Sequence, residues 1–410
     1  MSNDRVGGSG TPPARRRGIR VWLKRLAWMI AALAAAILAL ILWLWVQSGR
    51  PLPLAQAHGP FAVGRLRYEL TEPLASDPTA SGAHQPRRLV MWIWYPAEPG
   101  SGRKAAYVPE PLRSPLRARN GAITNLIIRD VDLVRAEART GAAVARGQQR
   151  LPILLFKSGF GALALDYTSL AESLASAGYV VVGSDAPHSA VLTAYDDGSV
   201  AGRTKLGHPS PDRLAAFEPL VRLWAADTRY ELDALARLDA RPGTILAHRL
   251  DLGHVGALGH SFGGAAATEF CWEDPRCKAA ADLDGRLFGP VVQAGLAKPF
   301  LFLMSDHGRE SDPAADQIMT QLRAFWAKLG AEKRLTTIRG TRHFNFSDNA
   351  LRWTRLVGRP AGAVGPIDRR RALAISAREI DAFFSAPLGQ PRKPEPEDEA
   401  ILHDWVAPPG

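Results

Sequence analysis

Cysteine is almost missing from this chain, with two in 410 residues, Cys271 and Cys277. That excludes a small disulfide-held scaffold, and with no further ligands at suitable spacing it argues against a thiolate metal site. Acidic residues are also in deficit, 40 against 51 Lys and Arg, for a formal net charge of +11. The excess is not laid out as a nucleic-acid-binding face. Residues 1–25 alone hold Arg5, Arg15, Arg16, Arg17, Arg20, Lys24 and Arg25 against Asp4. The remainder is only mildly basic, and nucleic acid is not an expected partner. Between 26 and 46 there is no charge at all. At a rise of ~1.5 Å per residue, that apolar run covers the ~30 Å hydrocarbon core of a bilayer, so it reads as a transmembrane helix.

Trp22, Trp28, Trp43 and Trp45 fall near its two ends, where indoles favour the membrane interface. The basic residues precede the run and only Arg50 closely follows. The positive-inside rule therefore leaves 1–25 as a cytoplasmic tail and puts everything from about Gln47 outside, in the periplasm or the extracellular space. Ala55-Gln56-Ala57 offers a cleavage site, the alternative in which the segment is a signal peptide; a run longer than the ~7–15 residues of a signal core favours an uncleaved anchor. In an external domain Cys271 and Cys277 are expected to be bridged, with Pro275 breaking the chain between them so that the sulfurs can meet.

Residues 1–14, rich in Gly, Ser and Pro, are expected to lack order, and 47–60, with Pro51 and Pro53, to form a stiff linker. From 61 to 386 the chain is long enough for one large core. Phe61–Leu70 and Leu89–Tyr95 read as an antiparallel strand pair around a turn-rich loop. A helical stretch is expected from about Ile127 to Ala145. Strand and helix then alternate: Leu151–Phe156, helix Tyr167–Ala177 closed by Gly178, Tyr179–Gly183, Val255–Leu258, Lys278–Leu283, Phe300–Met304 and Leu335–Ile338. Such alternation builds a mostly parallel α/β sheet with helices on both faces, and ligands bind at its C-terminal strand ends. The excursion 187–222, ahead of a helix from about Leu223 to Leu238, is either a lid or a surface loop. After a terminal helix over Arg378–Phe384, residues 387–410, rich in Pro and acids, read as an exposed tail.

One motif organises the rest. Gly259-His260-Ser261-Phe262-Gly263-Gly264 fits the G-x-S-x-G elbow, with a strand expected before it and a helix after it. A nucleophile there must adopt a strained backbone conformation flanked by residues without bulk. Ser261 is thus the candidate nucleophile, and the Phe262 amide at the helix N-terminus is one candidate oxyanion donor. His343, five residues beyond the last strand, is the candidate base, because in α/β hydrolases the histidine comes last in the chain. His260 should turn away from Ser261. His188 and His307 also follow strands and are candidate pocket residues. Two carboxylates end strands between Ser261 and His343, Asp284 and Asp306, and either can orient the imidazole. Asp282 should lie deeper, paired with a backbone or basic group.

With Leu283-Asp284 and Phe288, and with Ile338-Arg339-Gly340-Thr341-Arg342-His343-Phe344-Asn345-Phe346-Ser347-Asp348, the elbow resembles the platelet-activating factor acetylhydrolase family of serine esterases. The resemblance runs from about Phe61 to Phe384. It implies an α/β-hydrolase fold, two-step acyl transfer without metal or organic cofactor, and a small-molecule or lipid ester as substrate, with short or oxidised acyl chains on phospholipids suggested. It favours Asp284 over Asp306 as the acid. The family's His-Gly-x-Gly turn reads Ser158-Gly159-Phe160-Gly161 here, which makes the Phe160 amide the second oxyanion donor and leaves the histidine's bonding without an obvious substitute. A soluble-ester or polyester hydrolase, or a catalytically silent binding domain, are the competing expectations.

Overall fold

The computed structural model describes residues 14–403 apart from 82–84, 148–149, 211–212, 307–312, 354–357, 359–361 and 393–395. Most of 1–14 and the end of the tail, with His307, therefore lie outside the described residues. Runs of β-branched, aromatic and small apolar residues form the principal strands: β1 (Ala62–Ser76), β2 (Pro86–Ala97), β3 (Leu151–Lys157), β4 (Val180–Asp185), β5 (Leu250–His260), β6 (Cys277–Leu283), β7 (Phe300–Ser305) and β8 (Lys333–Ile338). They lie in the spatial order β8-β7-β6-β5-β3-β4-β2-β1. β1 and β2 pair antiparallel, β2 runs antiparallel to β4, and the remaining neighbours are parallel.

Alternation along β2 shows why the sheet is covered on both sides. Val90, Trp92 and Trp94 join one buried cluster with α3 (Thr168–Ser176) and the C-terminal helix over 369–385, while Met91, Ile93 and Tyr95 join another with the helices over 217–240 and 262–273. Side chains of period two feed two separate cores. Those helices complete the layers: α4 (Phe217–Ala240), α5 (Phe262–Glu273), α6 (Pro313–Trp326) and α7 (Arg369–Ser385), with α1 (Ala14–Ser48) and α2 (Arg113–Ile127) at the N-terminal side. Buried ion pairs dock α4. Asp227 accepts two 2.6 Å bonds from Arg87, and Glu231 accepts one of 2.6 Å from Lys157 at the end of β3. One helical turn separates the two carboxylates, so both face the sheet.

Five expectations need correction. The helix expected over 127–145 lies earlier, at Arg113–Ile127. Beyond it the backbone is extended at Ile128, makes a short 3-10 turn at Val131–Leu133, and Val134 pairs with Leu52. The linker is no free spacer, because Leu52, Leu54 and Ala55 bury their side chains in the core. α4 begins at Phe217, whose ring the core absorbs, and α7 begins at Arg369, capped by Asp368 accepting from the amides of Arg370 and Arg371. The described part of the tail folds back: Leu388 is buried and Ile401–Leu402 pairs antiparallel with β8. Cys271 and Cys277 are bonded to each other, with Cα atoms 5.1 Å apart. The apolar part of α1, Val21–Ser48, is exposed throughout its most apolar stretch, as a lipid-facing helix would be.

Candidate active site

β5 ends at His260 and α5 begins at Phe262, so Ser261 occupies the whole turn, at φ 57° and ψ −128°. For a residue with a Cβ this region costs on the order of 1–3 kcal/mol. Packing enforces it. A Cβ on Gly259 would fall 2.2 Å from the carbonyl carbon of Gly263, and one on Gly263 would fall 2.2 Å from the carbonyl oxygen of Lys157. Only glycine lets the first turn of α5 press onto β5 and β3 this closely. The Ser261 amide donates to Leu283 O at 2.8 Å, which ties the elbow to the end of β6.

Asp284 follows β6 directly and is itself at φ 55°. Its side chain is fully buried and set by Ser305 at the end of β7, whose amide donates to Oδ1 at 2.8 Å and whose hydroxyl donates to Oδ2 at 2.9 Å. His343 Nδ1 lies 2.8 Å from Asp284 Oδ2. A buried carboxylate accepts, so Nδ1 carries the proton and Nε2 is left as an acceptor. Asp306 stands elsewhere: its carboxylate accepts from the Gly340 amide at 2.9 Å, and Arg342 donates to its carbonyl. It shapes the turn before His343.

His260 joins the two halves of the site. The Gly159 amide donates to Tyr167 Oη at 3.1 Å, Tyr167 Oη lies 2.8 Å from His260 Nδ1, and His260 Nε2 lies 2.9 Å from the carbonyl oxygen of His343. Since the carbonyl can only accept, every donor in the chain points from Gly159 towards His343. Burial and the neighbouring His343 push the His260 imidazole down to about 3, so it stays neutral. Its ring centroid is 4.5 Å from that of His343, which brings the base loop beside the residue preceding Ser261. The histidine missing from the 158–161 turn thus has a substitute in Tyr167, which the sequence marks only as the first residue of a helix.

Among the described residues neither the Phe160 amide nor the Phe262 amide has a protein acceptor, as two free donors at one site would require. Around them the rings of Phe217, Phe262 and Phe288 pack edge to face or stacked, and His208 stacks on Phe160 at 4.1 Å. His208 comes from the 187–222 excursion, which therefore walls the site. His188 instead bonds Gly202 O through Nδ1 at 3.1 Å. Asp282 is wholly buried, and the group facing its carboxyl is the backbone amide of Gly285 rather than a basic side chain. Burial and Asp284 push it well above the ordinary carboxylate range, and the carboxyl packs against Gly264 and Gly285.

Residues 48–205 and 244–399 match the family described as platelet-activating factor acetylhydrolase, isoform II. The chain belongs to that family. A probable 1-alkyl-2-acetylglycerophosphocholine esterase of Arthroderma benhamiae is 28% identical over 361 residues, 82% of this chain and 88% of its own. The platelet-activating factor acetylhydrolase of Bos taurus is 26% identical over 280 residues, 62% of this chain and 59% of its own. Among solved structures, the ferulic acid esterase from Streptomyces cinnamoneus superposes with a TM-score of 0.71 at 28% identity, covering 86% of this chain and 98% of that one. This acetylhydrolase-family member is accordingly an α/β-hydrolase that cleaves carboxylic esters. The family match skips 206–243, the stretch that supplies His208 and Phe217.

Proposed function

We propose that this acetylhydrolase-family esterase works by two-step acyl transfer, with Ser261 as nucleophile, His343 as general base and Asp284 as the group that orients it. His343 takes the hydroxyl proton as Ser261 attacks the ester carbonyl, and returns it to the leaving alcohol; water then repeats the sequence on the acyl-enzyme. The amides of Phe160 and Phe262 receive the developing oxyanion, each contributing about 3–4 kcal/mol to the lowering of the barrier. The observation that carries this is the 2.8 Å bond from His343 Nδ1 to Asp284 Oδ2 beside a serine held at φ 57°. No step calls for a metal or organic cofactor.

The esterase domain faces outward from a membrane anchored through 26–46, where lipid esters are at hand. Short acyl chains on glycerophospholipids are the first substrate class, supported by the relatives named for an acetylated glycerophosphocholine. Small aromatic acyl esters are the second, supported by the superposition on a ferulic acid esterase and by the aromatic wall around Phe160. Turnover of an acetylated glycerophospholipid and of a feruloyl ester by the full chain, each beside Ser261→Ala, tests both. Hydrolysis that survives in Ser261→Ala contradicts the assignment, and the ratio between the two substrates ranks the classes.

A further inference from the structure

The outer end of α1 does not leave the folded domain as a free stalk. Trp43 and Gln47 from its last turns share a cavity of about 380 Å³ with Leu52, Arg129, Trp353 and Arg370. One wall is apolar; the other is cationic. Arg50 follows just beyond α1, and burial together with the charges of Arg370 and Arg50 pushes the Arg129 guanidinium below its ordinary value. Three like charges therefore converge, and among the described residues no carboxylate pairs with the Arg129 or Arg370 side chain. Asp368, which also lines the cavity, is engaged in capping α7 at 3.0 Å to the amides of Arg370 and Arg371. Arg370 is held at the cavity by donating to Pro53 O at 2.8 Å.

Convergent guanidiniums without a counter-ion are an arrangement that an oxyanion completes, and guanidiniums pair with phosphate in fork geometry. The position of the cavity at the outer end of α1 specifies which oxyanion. It sits where Trp43 and Trp45 would lie at the bilayer interface, which is the level of the lipid phosphates. We propose that this cavity binds the phosphodiester group of one outer-leaflet phospholipid, with Arg129 and Arg370 on the phosphate and Trp43 and Trp353 against the glycerol and first methylenes. The inference rests on α1 crossing the membrane. It has a consequence for the esterase site: the Trp353 ring is 5.1 Å from that of Phe344, which is 5.5 Å from that of His343. A lipid docked here seats the base loop next to the bilayer surface.

The test uses the full chain extracted from membranes in mild detergent, with phosphatidylglycerol added, read by native mass spectrometry. One retained phospholipid is expected. Arg129→Gln with Arg370→Gln should lower its occupancy about tenfold or more, whereas Arg129→Lys with Arg370→Lys, which keeps the charge but loses the fork, should lower it less. Equal occupancy in the glutamine variant overturns the site. So does replacement of the lipid by millimolar inorganic phosphate, which would make it a site for the free ion. Alkaline carbonate extraction of the same membranes separates the two levels: a chain that washes off overturns the spanning of α1, and the lipid site with it.

Discussion

Around the elbow, the groups that position the imidazole each have hydrogen-bonding partners: Asp284 has Ser305 and His343, His260 has Tyr167 and the His343 carbonyl, and Gly159 has Tyr167. At the foot of α1 the balance differs, with Arg50, Arg129 and Arg370 near one another and Asp368, the acid lining the same cavity, taken up in capping α7. The first pattern fixes geometry, since a buried polar group left unpaired costs about 1–3 kcal/mol and each bond therefore has few alternatives. The second reserves room for something the chain does not itself contain. Both lie on the loop that follows β8, one at His343 and the other at Trp353, so that loop connects a site built for chemistry with one suited to a ligand.

Breaking the matched site should have the larger effects. Ser261→Ala and His343→Ala are each expected to lower kcat by about 10⁴–10⁶-fold with little change in melting temperature. Next in size is the contrast between the two strand-end acids. Asp284→Asn should cost about 10³–10⁴-fold in kcat by leaving His343 in the wrong tautomer, while Asp306→Asn should stay within about tenfold by loosening only the Gly340 turn. Equal losses in a side-by-side kinetic comparison would reassign the acid. Smaller again, Tyr167→Phe and His260→Gln should each lower kcat by about 10–100-fold at unchanged KM. The double variant should lose little more than either alone, because one relay is being cut twice.

The smallest effects concern stability against pH, and the two signs differ. His260 titrates near 3 in the fold rather than near its ordinary 6.5, so the unfolded chain binds the extra proton and the fold loses stability as pH falls through that window. Asp348, buried against Ser169 and Tyr107, is pushed up to about 7. Here the folded chain holds the proton, and stability declines as pH rises from about 4 to 7. Urea midpoints across pH 4–8 should show a shallower acid-side loss for His260→Gln and a shallower neutral-side loss for Asp348→Asn. Parallel curves for wild type and variants would contradict these environments.

The elbow was legible because its constraint is local: the backbone turns so sharply at Ser261 that glycine is forced at 259 and 263, and the motif records it. Chain order pointed to His343, and the period-two and helical apolar patterns located most strands of the sheet. What escaped was set by partners far along the chain. Tyr167 meets His260 across 93 positions, and nothing around Leu165-Asp166-Tyr167 marks its hydroxyl as more than a helix-start residue. Leu52 and Leu54, between prolines, look like spacer until Val134 is beside them. The segment after Ile127 carried enough apolar residues to imitate a helix, yet β-branched Ile128 and Val134 sit in extended backbone on either side of the 3-10 turn Val131–Leu133.

The central claim is that a strained serine at 261 is made nucleophilic by the imidazole at 343. Treating the full chain with a fluorophosphonate and mapping the adduct by peptide mass spectrometry tests it in one step. One adduct per chain, on Ser261, with labelling slowed by at least about 10³-fold in His343→Ala, is the predicted result. An adduct on another residue, or labelling of Ser261 at the same rate without His343, would contradict it.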